Sequence, residues 1–153
     1  MNLSKFAVTI EINSNIEKVW QELTNWEAQS KWMLLTKVWS HRTTNHLGTK
    51  IFAFTGVAPQ NFPITKRNAF PRLGILDEME ITEWLPPTFC KVVHTGKVIK
   101  GMGTFELVKI SDQKIRFNWY EEIEAPTLVL ALIRPGILLS VRFSLWRFAR
   151  SVA

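Results

Sequence analysis

From about Leu35 to Ile123 the chain reads as one strand after another, broken where turn residues cluster at Asn45 to Gly48, Pro86-Pro87, Gly101 to Gly103 and Ser111-Asp112. Strands joined by such short connections pair antiparallel with their sequence neighbours, because a parallel pair needs a crossover of about a dozen residues. The pattern predicts a meandering antiparallel sheet whose most legible strands are Thr49 to Gly56, Leu76 to Trp84, Phe89 to Ile99, Thr104 to Ile110 and Ile115 to Ala125. One connection is long. Between Gly56 and Gly74, Pro59, Pro63 and Pro71 and the basic Lys66, Arg67 and Arg72 lie among Phe62, Phe70 and Leu73, a segment read either as a lid over a site or as a plain excursion.

Different periods flank this core. Phe6, Val8, Ile10 and Ile12 alternate with Ala7, Thr9 and Glu11, the period of two of a half-buried strand. Ser14 and Glu17 form a capping-box pattern ahead of Ile16, Val19, Trp20 and Leu23, which recur at helical spacing. A second short helical piece, Trp26 to Trp32, follows a bend at Thr24-Asn25. Pro126 to Ala153 is the most apolar part of the chain, but Arg134, Arg142, Arg147 and Arg150 interrupt it, and its longest uncharged run falls short of the roughly 18 residues of a membrane span. It is read as a helix covering the sheet with Ile137, Leu138, Val141, Leu145 and Phe148, kinked or started by Pro135-Gly136. An apolar helix with arginines also suits weak contact with an anionic membrane surface.

With 46% apolar and 21% charged residues, the 153-residue chain has a globular composition, and residues 1–153 are read as one domain. Seven Trp and ten Phe stand against one Tyr, which suits an aromatic core or a large apolar cavity, since Trp and Phe bring area with few polar atoms. The formal charge of +6 attracts acidic lipids or nucleic acid at low salt, yet the basic residues are scattered as on a solvated face. Specific nucleic-acid binding is not expected, because it needs exposed aromatics between basic residues, and here the aromatics fall mostly on buried positions. Cys90 is alone, so no intrachain disulfide forms, and the N-terminal segment reads as a strand rather than a signal peptide; the expectation is a cytoplasmic protein. His41, His46 and His94 come without the ligand pattern of a metal site, and Gly101-Met102-Gly103 opens no helix that would cradle a phosphate. No metal or other cofactor is expected, and the oligomeric state stays open.

The order of strand, two short helices, long meander and C-terminal helix, filled by IEKVWQELTNWEAQSKW, LGILDEMEITEWLPP, VVHTGKVIKGMGTFELVKI and RFNWYEEIEAP, resembles the START-like, helix-grip (SRPBCC) superfamily, in its polyketide cyclase/dehydrase and lipid-transport-like branch. The resemblance spans nearly the whole chain and contains no catalytic signature. It implies an α+β helix-grip fold, a curved antiparallel sheet of about seven strands gripping the last helix, with a cavity between them for a hydrophobic small molecule such as a lipid or polyketide.

Strand alternation places Met79 and Ile81, Val92 and His94, and Phe117, Trp119, Glu121 and Ile123 toward such a cavity, with Trp32, Phe52 and Phe54 completing its wall. A slip of one residue would invert any of these faces. Among these residues His94 and Glu121 alone offer acid-base chemistry near neutral pH: burial against Trp119 would raise the carboxyl, and a neighbouring imidazole could exchange its proton. That suits a cyclase or dehydratase. The alternative is that His94 bonds within the sheet and Glu121 pairs with a Lys or Arg, leaving a noncatalytic binding protein, the preferred function.

Overall fold

The computed structural model describes residues 2–57 and 73–153. Most of the long 56–74 connection, including its lid reading, lies outside the described residues.

Seven antiparallel strands form one sheet in the order β1-β7-β6-β5-β4-β3-β2, comprising β1 (Asn2–Ile12), β2 (Thr36–His41), β3 (Lys50–Val57), β4 (Leu73–Leu85), β5 (Phe89–His94), β6 (Lys100–Ser111) and β7 (Lys114–Ala125). The meander is as expected, and β1 joins it by pairing with the last strand, from Asn2 opposite Ala125 to Ile12 opposite Ile115. β5 is shorter than the alternation implied. It ends at His94, where Thr95 donates its N–H to the Glu78 carbonyl at 2.7 Å and the chain bends away, so Ile99 lies beyond the strand.

Between β1 and β2 lie α1 (Ile16–Leu23), a 3-10 turn (Trp26–Ala28) and α2 (Gln29–Trp32). The cap of α1 falls on Asn15 rather than Ser14: its side-chain oxygen accepts from the Lys18 N–H at 2.8 Å, satisfying one of the helix's unbonded donors. Ile16, Val19, Trp20 and Leu23 then all point into the core. The inner face of the sheet supplies the rest of that core. In β4 the alternation Asp77, Met79, Ile81 shifts register between Ile81 and Glu83, a bulge that returns Trp84 to the inner side, against Trp20 at 5.0 Å between ring centroids. Burying a side chain the size of Phe117, fully enclosed here, contributes about 2–3 kcal/mol.

The C-terminal helix α3 (Thr127–Val152) runs through Pro135 without ending. Pro135 and Ala131, the residue whose carbonyl the ring leaves unbonded, are both exposed, so solvent takes over that hydrogen bond. By length and composition alone α3 could cross a bilayer, yet Leu130, Leu145, Phe148 and Val152 are buried against the rest of the protein. Its C-terminal half is tied to the α2 region: Ser144 Oγ accepts from the Leu34 N–H at 2.9 Å, Arg147 donates to the Lys31 carbonyl at 2.7 Å, and Phe148 packs on Trp32. Leu138, expected on the sheet, instead faces outward.

Candidate functional site

The buried apolar residues form two clusters. One, around Trp26, Ile81, Phe117 and Phe148, fills the α1 end, and a smaller one joins Phe6, Ile99, Ile123, Ala125 and Leu130. Between them the sheet and α3 stand apart around a partly open cavity of about 550 Å³. Ile51, Ala53 and Thr55 of β3, Met79 of β4, Val92 of β5, Trp119 and Ile123 of β7, and Ile133, Ile137 and Val141 of α3 line it.

Seven of the residues expected at the cavity border it: Met79, Val92, His94, Trp119, Glu121 and Ile123 from strand alternation, and Trp32 from the second short helix. Ile81 and Phe117 share their inner face but sit in the packed cluster and do not line it. Phe52 and Phe54 are one residue out of phase. The β3 register sets Ile51 opposite Met79 and Ala53 opposite Asp77, so β3 turns its smaller side chains inward, while Phe52 stacks on Trp39 at 5.5 Å on the other face.

The polar end of the cavity is built by β4, β5 and β7. His94 Nε2 lies 2.7 Å from Glu121 Oε2 and His94 Nδ1 lies 2.8 Å from Asp77 Oδ1. Each carboxylate accepts, so the ring donates from both nitrogens and is an imidazolium. Burial alone would discharge it; the hydrogen bonds and charges of Asp77 and Glu121 more than reverse this and push His94 up to about 10. Burial in turn pushes the Glu121 carboxyl up, against the opposing pull of His94. Thus Glu121 pairs with His94, not with a Lys or Arg.

Reaching from β5 to β7 requires crossing β6, and two glycines open the way. Gly101 lies opposite His94 and Gly103 opposite Glu121, so the inner face of β6 carries no side chain between them. A Cβ on Gly103 would stand 2.5 Å from Glu121 Oε1. The Gly101 to Gly103 stretch is therefore not a turn but the gap through which the histidine meets the carboxylate. Asp77 was not anticipated. The signal was present, since it stands two residues before Met79 on the same face, but within Asp77-Glu78-Met79-Glu80 it looks like one more acid on a solvated strand.

The solved structures add the fold. A START superfamily protein from Mycobacterium smegmatis superposes with a TM-score of 0.72 at 10% identity, covering 97% of this chain and 99% of that one. The chain has the START-like helix-grip fold. A conserved protein from Geobacillus kaustophilus (TM-score 0.70, 15% identity, 97% and 95% covered) and a protein from Chromobacterium violaceum (0.67, 12%, 97% and 96%) share the START-like architecture. No family model and no curated protein sequence matches the chain. At identities of 10 to 15% this likeness shows the fold and chooses neither a ligand nor a reaction.

Other chemistry finds little footing around this START-like cavity. Cys90 borders it, but burial pushes its thiol up to about 12, far from the thiolate a nucleophile needs. His46 stacks on Trp84 and His41 lies edge-on to Phe52, both away from His94. Among the described residues no three His, Cys, Asp or Glu side chains are placed to hold a metal ion.

Proposed function

We propose that this protein binds, and in doing so carries or senses, a hydrophobic small molecule of lipid or polyketide type in the cavity between sheet and α3. The observation that carries the reading is the 550 Å³ space itself, bounded mainly by aliphatic and aromatic side chains and polar at one end. Each Å² of apolar ligand surface buried there contributes about 25 cal/mol, so a ligand burying a few hundred Å² gains several kcal/mol gross, and micromolar affinity is the expectation after ordering costs. Native mass spectrometry after exposure to a lipid and metabolite extract tests it: the wild type is expected to hold a discrete adduct, and Met79→Trp, which fills the cavity, to lose it while remaining folded. An adduct that survives in Met79→Trp would place the ligand elsewhere.

A second reading, proton transfer by a cyclase or dehydratase, is favoured by the 2.7 Å contact between His94 and Glu121. Both imidazole nitrogens are engaged, so Glu121, with its raised pKa, would be the group that meets substrate. The same experiment separates the readings. A binding protein returns its ligand unchanged, whereas a dehydratase returns it lighter by one water and a cyclase returns an isomer of equal mass with a different chromatographic retention.

The surface from which the ligand is drawn is, in this reading, an anionic lipid interface. Leu128, Leu132 and Leu139 of α3 are 73, 73 and 72% exposed, and with Phe143 and Trp146 they form a single stripe. The helix contains no Asp or Glu; Arg150 lies over the Trp146 ring at 5.0 Å and Arg147 over Phe143 at 6.0 Å. Two copies paired through this stripe would set arginines against arginines, while anionic headgroups would accept them. Cosedimentation with phosphatidylglycerol-containing vesicles is expected, weakening with salt and at least tenfold weaker for the Phe143→Ser, Trp146→Ser double variant. Equal binding to neutral phosphatidylcholine vesicles, or a stable dimer without vesicles, would refute it.

A further inference from the structure

The cluster of Asp77, His94 and Glu121 presents one kind of free hydrogen-bonding group to the cavity. Asp77 Oδ1 and Glu121 Oε2 are held by His94, and both ring N–H groups of His94 are thereby spent. The second oxygens, Asp77 Oδ2 and Glu121 Oε1, bond to nothing among the described residues, and neither is sealed from open space. Both residues line the cavity. Two carboxylates and one imidazolium leave a net negative charge, and no Lys or Arg among the described residues borders the cavity to offset it. The free valences of this cluster are all acceptors; the unpartnered buried donor that also borders the cavity, the Trp32 indole N–H, lies on the α2 side, where Trp32 packs on Phe148.

We infer that the ligand is an amphiphile whose polar end is a hydrogen-bond donor, a hydroxyl or an amine rather than a carboxylate, seated on Asp77 Oδ2 and Glu121 Oε1 with its apolar body toward Ile51, Ile133 and Ile137. This rests on the cavity-binding reading and adds the polarity of the ligand to it. A donor headgroup satisfies two buried acceptors that an alkane would leave unpaired, and a carboxylate headgroup would meet like charge in a low-dielectric space. The seat is shaped for this by Gly103, which lets the Glu121 carboxylate lie against β6 with no methyl group between.

The test uses four probes of equal chain length below their micellar concentrations: decan-1-ol, decylamine, decanoate and decane, titrated at pH 7 with Trp fluorescence or calorimetry as readout. Decanol and decylamine are expected to bind at least tenfold more tightly than decanoate. In Asp77→Asn, Glu121→Gln, whose amides supply donors and remove both charges, that preference is expected to disappear. Decanoate binding as tightly as the alcohol and the amine in the wild type overturns the headgroup inference and leaves the cavity reading intact. Failure of all four probes to bind, decane included, overturns both.

Discussion

His94→Ala is expected to lower the thermal midpoint by roughly 6 to 20 °C at pH 7. Removing the ring leaves the Asp77 and Glu121 carboxylates, each formerly within 2.8 Å of it, without their shared cation in a mostly apolar space. Breaking a buried ion pair from one side costs about 3–5 kcal/mol, and each kcal/mol moves the midpoint by roughly 2–4 °C in a protein of this size. The pH dependence distinguishes this from a simple packing defect. His94 is raised from 6.5 to about 10 in the folded protein, so its contribution is fully present below pH 6.5 and is lost as pH climbs through 10. Glu121 acts in the same direction, since a carboxyl raised by burial is held more comfortably protonated in the folded state. Wild-type stability should therefore decline between neutral pH and pH 10, and that decline should flatten in His94→Ala. Urea midpoints measured at intervals from pH 6 to 10.5 give both curves. A variant with wild-type stability at pH 7 and an unchanged alkaline slope would show that His94 is not what holds the two carboxylates.

The sheet was legible in the sequence because its strands alternate cleanly and short turns separate most of them. The errors are local and share a cause. At β3 both phases of the alternation are apolar, Phe52 and Phe54 on one side and Ile51 and Ala53 on the other, so side-chain size pointed the wrong way; only the pairing with β4 decides that the smaller residues face inward. Ile99 extended β5 on paper because hydropathy does not register the bend that the Thr95 hydrogen bond imposes. Site residues were legible when they fell in phase with apolar neighbours, as His94 does with Val92 and Glu121 with Phe117, Trp119 and Ile123. Asp77 was hidden by its acidic neighbours, and its role depends on a histidine 17 residues further along the chain. The α3 side of the cavity was only partly legible. The helix carries apolar residues nearly all round, so the pattern placed Ile137, Val141 and Leu145 on the inner face, where they line the cavity, but it included the outward Leu138 and left out Ile133.

The two glycines of β6 should respond differently to the same substitution. Gly101 has φ +120°, and a Cβ there would stand 1.9 Å from the Glu122 carbonyl oxygen of β7, a backbone atom fixed in the ladder. Gly101→Ala is therefore expected to cost on the order of 3–5 kcal/mol, because neither the dihedral nor the opposing carbonyl can give without breaking the pairing of β6 with β7. At Gly103 the added methyl would meet the carboxylate end of Glu121, which can swing aside. Its cost should be nearer 2 kcal/mol, the worth of a charged hydrogen bond, and the distinctive change is at His94. Losing one of two carboxylate partners, the imidazolium should give up its proton below its present value of about 10, read directly from the histidine ring resonance in an NMR titration. Gly136→Ala is the matched control, since a Cβ there has nothing within 4 Å and alanine favours the helix by about 1 kcal/mol. If Gly103→Ala leaves the His94 titration unchanged, the Glu121 carboxylate does not rest in the gap over β6, and the donor seat built from it fails with it.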